Sequence, residues 1–308
     1  MLKYAALRLL QAPAVLLVLA VLSFALMRMA PGGPFSKESK AGPEVAAALD
    51  AKYGRDAAPP VQFARWLGRS LTGDFGPSMK QRSQDVDEII GRTLPTSLVL
   101  GGVALLVALG LGVAAGVIAA AKRATLVDHA AMTIAMLGLS VPSFVVGPLL
   151  ALVFALWLGL LPPAGWHGLS QPAYLVLPAI TLGLPFAARI ARLTRAGMLE
   201  VLTQDFIRTA RAKGLSDSAV LLRHGLRGGI TPVISYLGPA VAYLLTGSLV
   251  VEQVFQIPGL GREFVEAALN RDEFLVMGTV LVYGAILIVA NLAADLVLAV
   301  IDPRVRYA

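Results

Sequence analysis

The sequence predicts an all-α integral membrane protein of six transmembrane helices, with both termini on the cytoplasmic side. Three observations predict it. The 308 residues are 57% hydrophobic and only 15% charged, with a mean hydropathy of +0.74, which is too apolar for a soluble domain. Several windows exceed the roughly 18–20 apolar residues needed to cross about 30 Å of hydrocarbon. The basic residues gather beside those windows, so the net charge of +7 reads as positive-inside topology and not as a nucleic-acid surface. The chain has no cysteine, which excludes disulfides, zinc–thiolate sites and thiol nucleophiles.

Lys3 and Arg8 precede the first apolar run, residues 9–30, and place the N-terminus inside. A basic start and an apolar core resemble a signal peptide. The run from Leu9 to Met29 is too long, however, and Ala30-Pro31-Gly32-Gly33-Pro34 is a poor cleavage site, so residues 1–30 read as an uncleaved first span. Residues 31–93 form an extracytoplasmic insert of nearly balanced charge, nine basic and eight acidic side chains. It predicts one short helix ending at Gly54 and a second ending near Gly73, whose apolar face is Phe63, Trp66, Leu67 and Leu71.

A second span, about 95–120, begins after Pro95 and ends at Lys122-Arg123. Gly110, Gly112 and Gly116 lie inside its apolar run, where close helix packing explains them better than a nucleotide site. The third span, about 130–160, follows Asp128-His129 and is interrupted by Pro142 and by Gly147-Pro148. Such a break either faces protein or a watery path, or is a packing kink; the sequence leaves both open. Residues 161–172 lack Lys and Arg, as an outer loop should. His129, His167 and His224 have no metal-ligating neighbours and read as solvated loop residues. The fourth span, about 173–193, holds Pro178 and Pro185 and exits at Arg189, Arg192 and Arg195.

Residues 196–231 are the longest polar interruption in the second half of the chain. Counting near neighbours, Arg189, Arg192, Arg195, Arg208, Arg211, Lys213, Arg223 and Arg227 are opposed only by Glu200, Asp205 and Asp217. The spacing predicts two short helices broken at Gly214. Leu202, Phe206 and Ala210 recur at i, i+4 and i+8 as an apolar stripe. Gly214 suits a left-handed helix end, and Ser216 with Asp217 suits the start of the next helix. Ala219, Leu222 and Leu226 fall on one side of that second helix, which is expected to stop at Gly228-Gly229 before Pro232. A compact basic hairpin between two spans is a docking element.

The fifth span, about 232–251, includes Pro239 and Gly247. In the outer loop 252–274, Glu252, Glu263, Glu266, Asp272 and Glu273 outnumber Arg262 and Arg271, and its glycines allow a tight return toward the membrane. The last span, about 275–301, carries two intramembrane polar residues, Asn291 and Asp295, and residues 302–308 form a cytoplasmic tail. A carboxylate in hydrocarbon is a functional candidate by default. A proton relay would need a partner at matching depth, so hydrogen bonding with Asn291, four residues earlier on the same face, is the preferred role for Asp295.

Three well-separated motifs carry a family resemblance. RTARAKGL, residues Arg208, Thr209, Ala210, Arg211, Ala212, Lys213, Gly214 and Leu215, followed by LLRHGLR, resembles the cytoplasmic signature (EAA) loop of permease subunits in binding-protein-dependent ABC importers. The general pattern has Glu-Ala-Ala six residues before the glycine. Arg208, Thr209 and Ala210 stand there instead, as in the oligopeptide and dipeptide branch. Glu252, Phe255, Pro258, Gly259 and Gly261 match a second stretch of the family, with Asn270-Arg271-Asp272 beyond it. Asp302-Pro303-Arg304-Val305-Arg306-Tyr307 is similar to its ending, and APGGPF and LTGDFGPS resemble the oligopeptide-permease subunit.

The resemblance implies a type I ABC importer permease fold over a core of residues 94–301 and a multi-pass location in the bacterial inner membrane. It implies that residues 208–215 couple to an ATPase. Its implied partners are a homologous second permease, two cytoplasmic ATPase subunits that bind ATP and Mg, an extracytoplasmic solute-binding protein, membrane lipid and a peptide substrate. Relatives in the branch also carry dipeptides, nickel complexes or glutathione. No cofactor, metal or catalytic residue is implied in this chain. That agrees with the absence of a Gly-x-x-x-x-Gly-Lys-Ser/Thr loop, of HExxH and of Gly-x-Ser-x-Gly. A self-contained secondary transporter or channel is the competing reading. It would need charged coupling groups in the membrane and leaves the hairpin unexplained.

Overall fold

The computed structural model of the chain describes residues 2–29, 35, 43–81, 83–246 and 249–301. The expectations for residues 30–34, Gly247 and the tail 302–308 lie outside the described residues, as do those for the side chains of Lys3 and Arg8. Among the described residues there is no strand, only an isolated bridge between Pro77 and Asp85.

The helices are α1 (Leu2–Met29), α2 (Pro43–Lys52), α3 (Pro59–Ser70), α4 (Val86–Ala121), α5 (Leu126–Ser140), α6 (Ser143–Leu150), α7 (Ala173–Leu202), α8 (Asp205–Ala212), α9 (Asp217–Ala219), α10 (Arg227–Gly229), α11 (Thr231–Leu245), α12 (Leu249–Val254), α13 (Leu260–Asn270) and α14 (Glu273–Ile301). Two π-helical stretches, Ala151–Trp157 and Val220–Leu226, continue α6 and α9. Among the described residues, five stretches are long and apolar enough to cross a bilayer: Leu10–Met29, Val86–Ala121, Ala173–Leu202, Thr231–Val254 and Glu273–Val297. A sixth crossing would be the pair α5 and Ser143–Trp157, bent by 108°.

The bend has a local cause. Pro142 offers no amide hydrogen and pushes the preceding residue out of the helical region. Val141 is extended (φ −86°, ψ 123°), so α5 stops at Ser140 and Pro142 caps α6. Leu139 and Ser143, on either side of the break, line a cleft instead of the packed core.

That core is the pair α4 and α7. Lipid supplies no hydrophobic drive for helices to associate, so close van der Waals approach through small residues has to do so. A Cβ on Gly112 would lie 2.7 Å from the Ala187 carbonyl oxygen, and one on Gly116 would lie 2.6 Å from that of Ala191. Gly110 faces open space and takes no part. The contacts climb both helices together, from Ala104 with Gly183 to Gly116 with Thr194, so α4 and α7 run parallel. Leu100, Leu177, Leu244, Phe255 and Ile257 are fully buried at the α4 N-terminal end.

The insert departs from expectation at its end. Helix α4 starts at Val86, so the expected boundary at 93/94 and the expected start after Pro95 both fall inside one continuous helix of 36 residues. The expected short helices are α2 and α3, with Gly54 and Gly73 at φ +67° and +85° after them. Trp66 is buried against Ala20 and Met277 and donates its indole N–H to the Phe75 carbonyl (3.1 Å), whereas Leu71 is 82% exposed and not part of the apolar face. Arg55 pairs with Glu273, Ser78 with Asp272, and the Gln81 amide donates to Glu263 at 2.7 Å. The insert is thereby fastened to α1, α13 and α14. Arg69 forks onto Asp74 (2.9 and 3.0 Å) and holds its carboxyl below the usual carboxylate range.

Candidate functional site

The basic hairpin sits at the α4 and α7 C-terminal end of the bundle. Helix α7 runs to Leu202, breaks at Thr203-Gln204, and Gln204 (ψ 153°) starts α8. Because of that break, the count that joined Leu202 to Phe206 does not describe one helix face. Ile207, Ala210 and Val220 are the buried residues, packed with Val201, Leu202 and Leu215. Phe206 is 49% exposed.

Gly214 adopts φ +80° with nothing within 4 Å of where a Cβ would stand, so it is backbone conformation and not space that favours glycine there. The turn is closed by the Leu215 amide donating to the Ala210 carbonyl at 3.3 Å. Ser216 then caps the next helix, its Oγ accepting from the Ala219 amide at 3.4 Å.

The second helix also differs from expectation. Its π-helical stretch puts Val220 and Gly225, five residues apart, on the inner face and leaves Leu222 57% exposed. Gly228 and Gly229 do not stop it; the helix continues through Gly229 and turns only at Ile230. These glycines let it lie against α7. A Cβ on Gly229 would lie 2.5 Å from the Met198 amide nitrogen, and one on Gly228 would lie 3.1 Å from the Val201 side chain.

The outer face of the hairpin therefore carries Phe206, Arg208, Arg211, Lys213 and Leu222, all exposed. Among the described residues Arg208 pairs with Asp205 (3.3 Å) and Arg211 with Asp217 (3.8 Å), exposed pairs worth about 0–1 kcal/mol. Arg195 is different. It grips Asp128, whose second oxygen also accepts from the Ala124 amide at 3.0 Å. Arg189, Arg192 and Arg195 lie within α7 and not in the loop, and Arg195 is an internal strut rather than part of the basic surface. This pair was legible only as two separate charges.

At the opposite end of α4, the second motif is a latch. Glu252 is 0% exposed. Its carboxylate accepts from the Ser97 hydroxyl (2.7 Å) and the Arg262 amide (3.0 Å), and Ser97 in turn accepts from the Leu260 amide (2.9 Å). The first turn of α13 thus finds its acceptors in a buried anion and a hydroxyl. A Cβ on Gly259 would collide with that carboxylate, and one on Gly261 would stand 2.9 Å from Oε2. Phe255 and Pro258 complete the turn, Phe255 with its ring buried and its carbonyl accepting from the Gly165 amide at 2.9 Å.

Glu252, Asp272 and Glu273 are all buried, which the charge count of the loop did not indicate. Arg271 is left-handed (φ 62°), and Asp272 accepts from the Leu275 amide at 3.2 Å to open α14. Asn291 donates to the Leu287 carbonyl of its own helix (3.0 Å) beside Gly238, and Asp295 is half-buried a turn later.

Comparison with known proteins places this arrangement. Residues 112–307 match the family described as binding-protein-dependent transport system inner membrane component. The chain is 45% identical over 307 residues to the oligopeptide transport system permease protein OppB of Haemophilus influenzae, covering 100% of both chains. It is 43% identical over 293 residues to the dipeptide transport system permease protein DppB of Bacillus subtilis, covering 95% of this chain and 94% of that one. An inward-facing structure of the MetNI methionine ABC transporter shares the fold, with a TM-score of 0.54 at 18% identity over 70% of this chain and 96% of that one. With the hairpin, the latch and the parallel α4–α7 core as its framework, the chain belongs to the family of inner membrane permease components of binding-protein-dependent ABC transport systems.

Proposed function

We propose that this permease imports oligopeptides, forming half of the translocation pathway and coupling to an ATPase through residues 208–215. The observation that carries the reading is the outward face of the hairpin. Two large apolar side chains, Phe206 and Leu222, stand exposed among cations that surface ion pairs barely restrain. Beneath them, Ile207 and Val220 seat the hairpin on the end of α7. A push received on that face passes directly into the helix that forms the core with α4. The oligopeptide cargo is supported by similarity to permeases named for oligopeptide and dipeptide transport.

In this reading the chain hydrolyses nothing; two partner ATPases bind ATP and Mg and close on the hairpin. A homologous second permease completes the pathway, and an extracytoplasmic binding protein delivers peptide. The hairpin and both termini face the cytoplasm, and the insert and the Glu252 latch face outward. Closure of the ATPases moves the hairpins and switches access from outside to inside. Intramembrane Asn291 and Asp295 serve helix packing.

Uptake by proteoliposomes holding the whole complex tests this. Peptide is expected to accumulate only with ATP and binding protein present. Unaltered uptake with hydrolysis-dead ATPase subunits overturns it.

A further inference from the structure

Arg189 is an exposed cation within the long helix α7. It lies on α7 more than three turns before the helix ends, next to Ile190, which packs over Gly112 in the apolar run of α4. Arg195, on the same helix, is neutralised by Asp128, whereas Arg189 pairs with no carboxylate among the described residues. Its guanidinium lies 5.5 Å from the centroid of the Tyr236 ring, at a cleft of about 380 Å³ between α7, α11 and the break at Pro142. Phe186 continues the aromatic wall, 6.4 Å from Tyr236 and 5.4 Å from Tyr243. A cation at this depth is costly to keep and marks a substrate path by default. The cleft is open and Arg189 is exposed, so the guanidinium is accessible to a ligand, with aromatic and proline residues beside it.

We propose that Arg189 binds the terminal carboxylate of a peptide as it passes through this cleft, with Tyr236 holding the guanidinium plane from one face. The inference rests on the peptide-import reading above and assigns that pathway a polar contact. Charge complementarity selects the ligand class. A planar guanidinium forks onto a carboxylate through two hydrogen bonds, and an unmodified peptide carries that carboxylate whatever its side chains are. One arginine in an otherwise apolar, aromatic cleft thus recognises peptides as a class and reads no sequence.

The test uses the complete importer in proteoliposomes, with its binding protein, and two probes: trialanine and trialanine amide. The readout is the acid-to-amide uptake ratio. In Arg189→Gln that ratio is expected to fall about tenfold relative to wild type, the size of one lost charge-assisted pair. In Arg189→Lys, which keeps the charge without the fork, it is expected to fall about threefold. Should the Gln variant not accumulate in the membrane, the Lys variant decides, and an unchanged ratio overturns the assignment. Equal loss of both probes also overturns it, placing Arg189 against an acidic side chain of the partner permease or in a purely structural role. If wild type shows no ATP-dependent uptake of either probe, the peptide-import reading fails and takes this inference with it. Loss of selectivity without loss of wild-type transport cannot arise that way.

Discussion

Arg195 holds Asp128 through two parallel hydrogen bonds, Nε to Oδ1 at 2.6 Å and Nη2 to Oδ2 at 2.7 Å, tying α7 to the start of α5. The Asp128 side chain is 1% exposed and that of Arg195 29%, so the fork is shielded from water on the carboxylate side. It sits at the end of the bundle that carries the hairpin, where α7 would receive any movement of α8.

Removing one partner strands a buried charge. Arg195→Met leaves the Asp128 carboxylate buried and unpaired and is expected to destabilise the detergent-solubilised protein by about 3 kcal/mol, with Asp128→Ala recovering part of the loss in the double variant. Thermal unfolding of the single and double variants measures it. Simple addition of the two losses would show that the pair is not coupled.

At Gly214 the strain is conformational. Gly214→Asn should be tolerated, whereas Gly214→Val should cost about 1–2 kcal/mol locally, although there is room for the side chain. The Val variant is expected to keep its fold and lose coupling between ATP hydrolysis and uptake. Normal coupling in Gly214→Val would show that this turn does not transmit the stroke.

Ile207 and Phe206 should separate fold from docking. Ile207→Ala removes a fully buried anchor and should cost about 2–4 kcal/mol, loosening the hairpin. Phe206→Ala should leave stability within about 0.5 kcal/mol and weaken ATPase association. Unfolding midpoints and copurification with the ATPase subunits distinguish the two; the reverse pattern would mean that the stripe through Phe206 faces inward after all.

Charge reversal of Arg208 and Arg211 together should reduce ATPase association by about tenfold or more, because surface pairs with Asp205 and Asp217 contribute little to the fold. Binding measured at rising salt should fall in wild type and change little in the reversed variant. Undiminished copurification would assign these arginines to lipid headgroups.

The latch predicts an order of effects. Gly259→Ala places a methyl group into the Glu252 carboxylate and should prevent accumulation of folded protein. Ser97→Ala loses one buried bridge and should cost about 1–3 kcal/mol. Membrane yield and thermal midpoint read both, and a stable Gly259→Ala protein would contradict the close approach seen here.

Much of this molecule was legible as a one-dimensional pattern. Apolar runs and flanking cations mark the crossings, since hydrocarbon thickness sets a length and the membrane surface sorts charge. Pro142 marked its break, because proline constrains its neighbours wherever it stands. Gly214 and Ser216 marked the hairpin turn, because capping involves residues only a few positions apart. Those features depend on local chemistry, and the residues alone determined them.

Only the tertiary structure decided which faces met. Periodicity assumed an unbroken helix of 3.6 residues per turn, and the break at Thr203 and the π-turns from Val220 rotated Phe206 and Leu222 outward. Nothing in the loop's own residues shows that Glu252 and Asp272 are buried against Ser97 and Ser78, far away in the chain. Asp128 finds Arg195, and Arg189 finds Tyr236, across separations that no local spacing encodes. A charge is neutralised or left available by whatever the fold brings within a few ångströms, and that is a property of packing, not of composition.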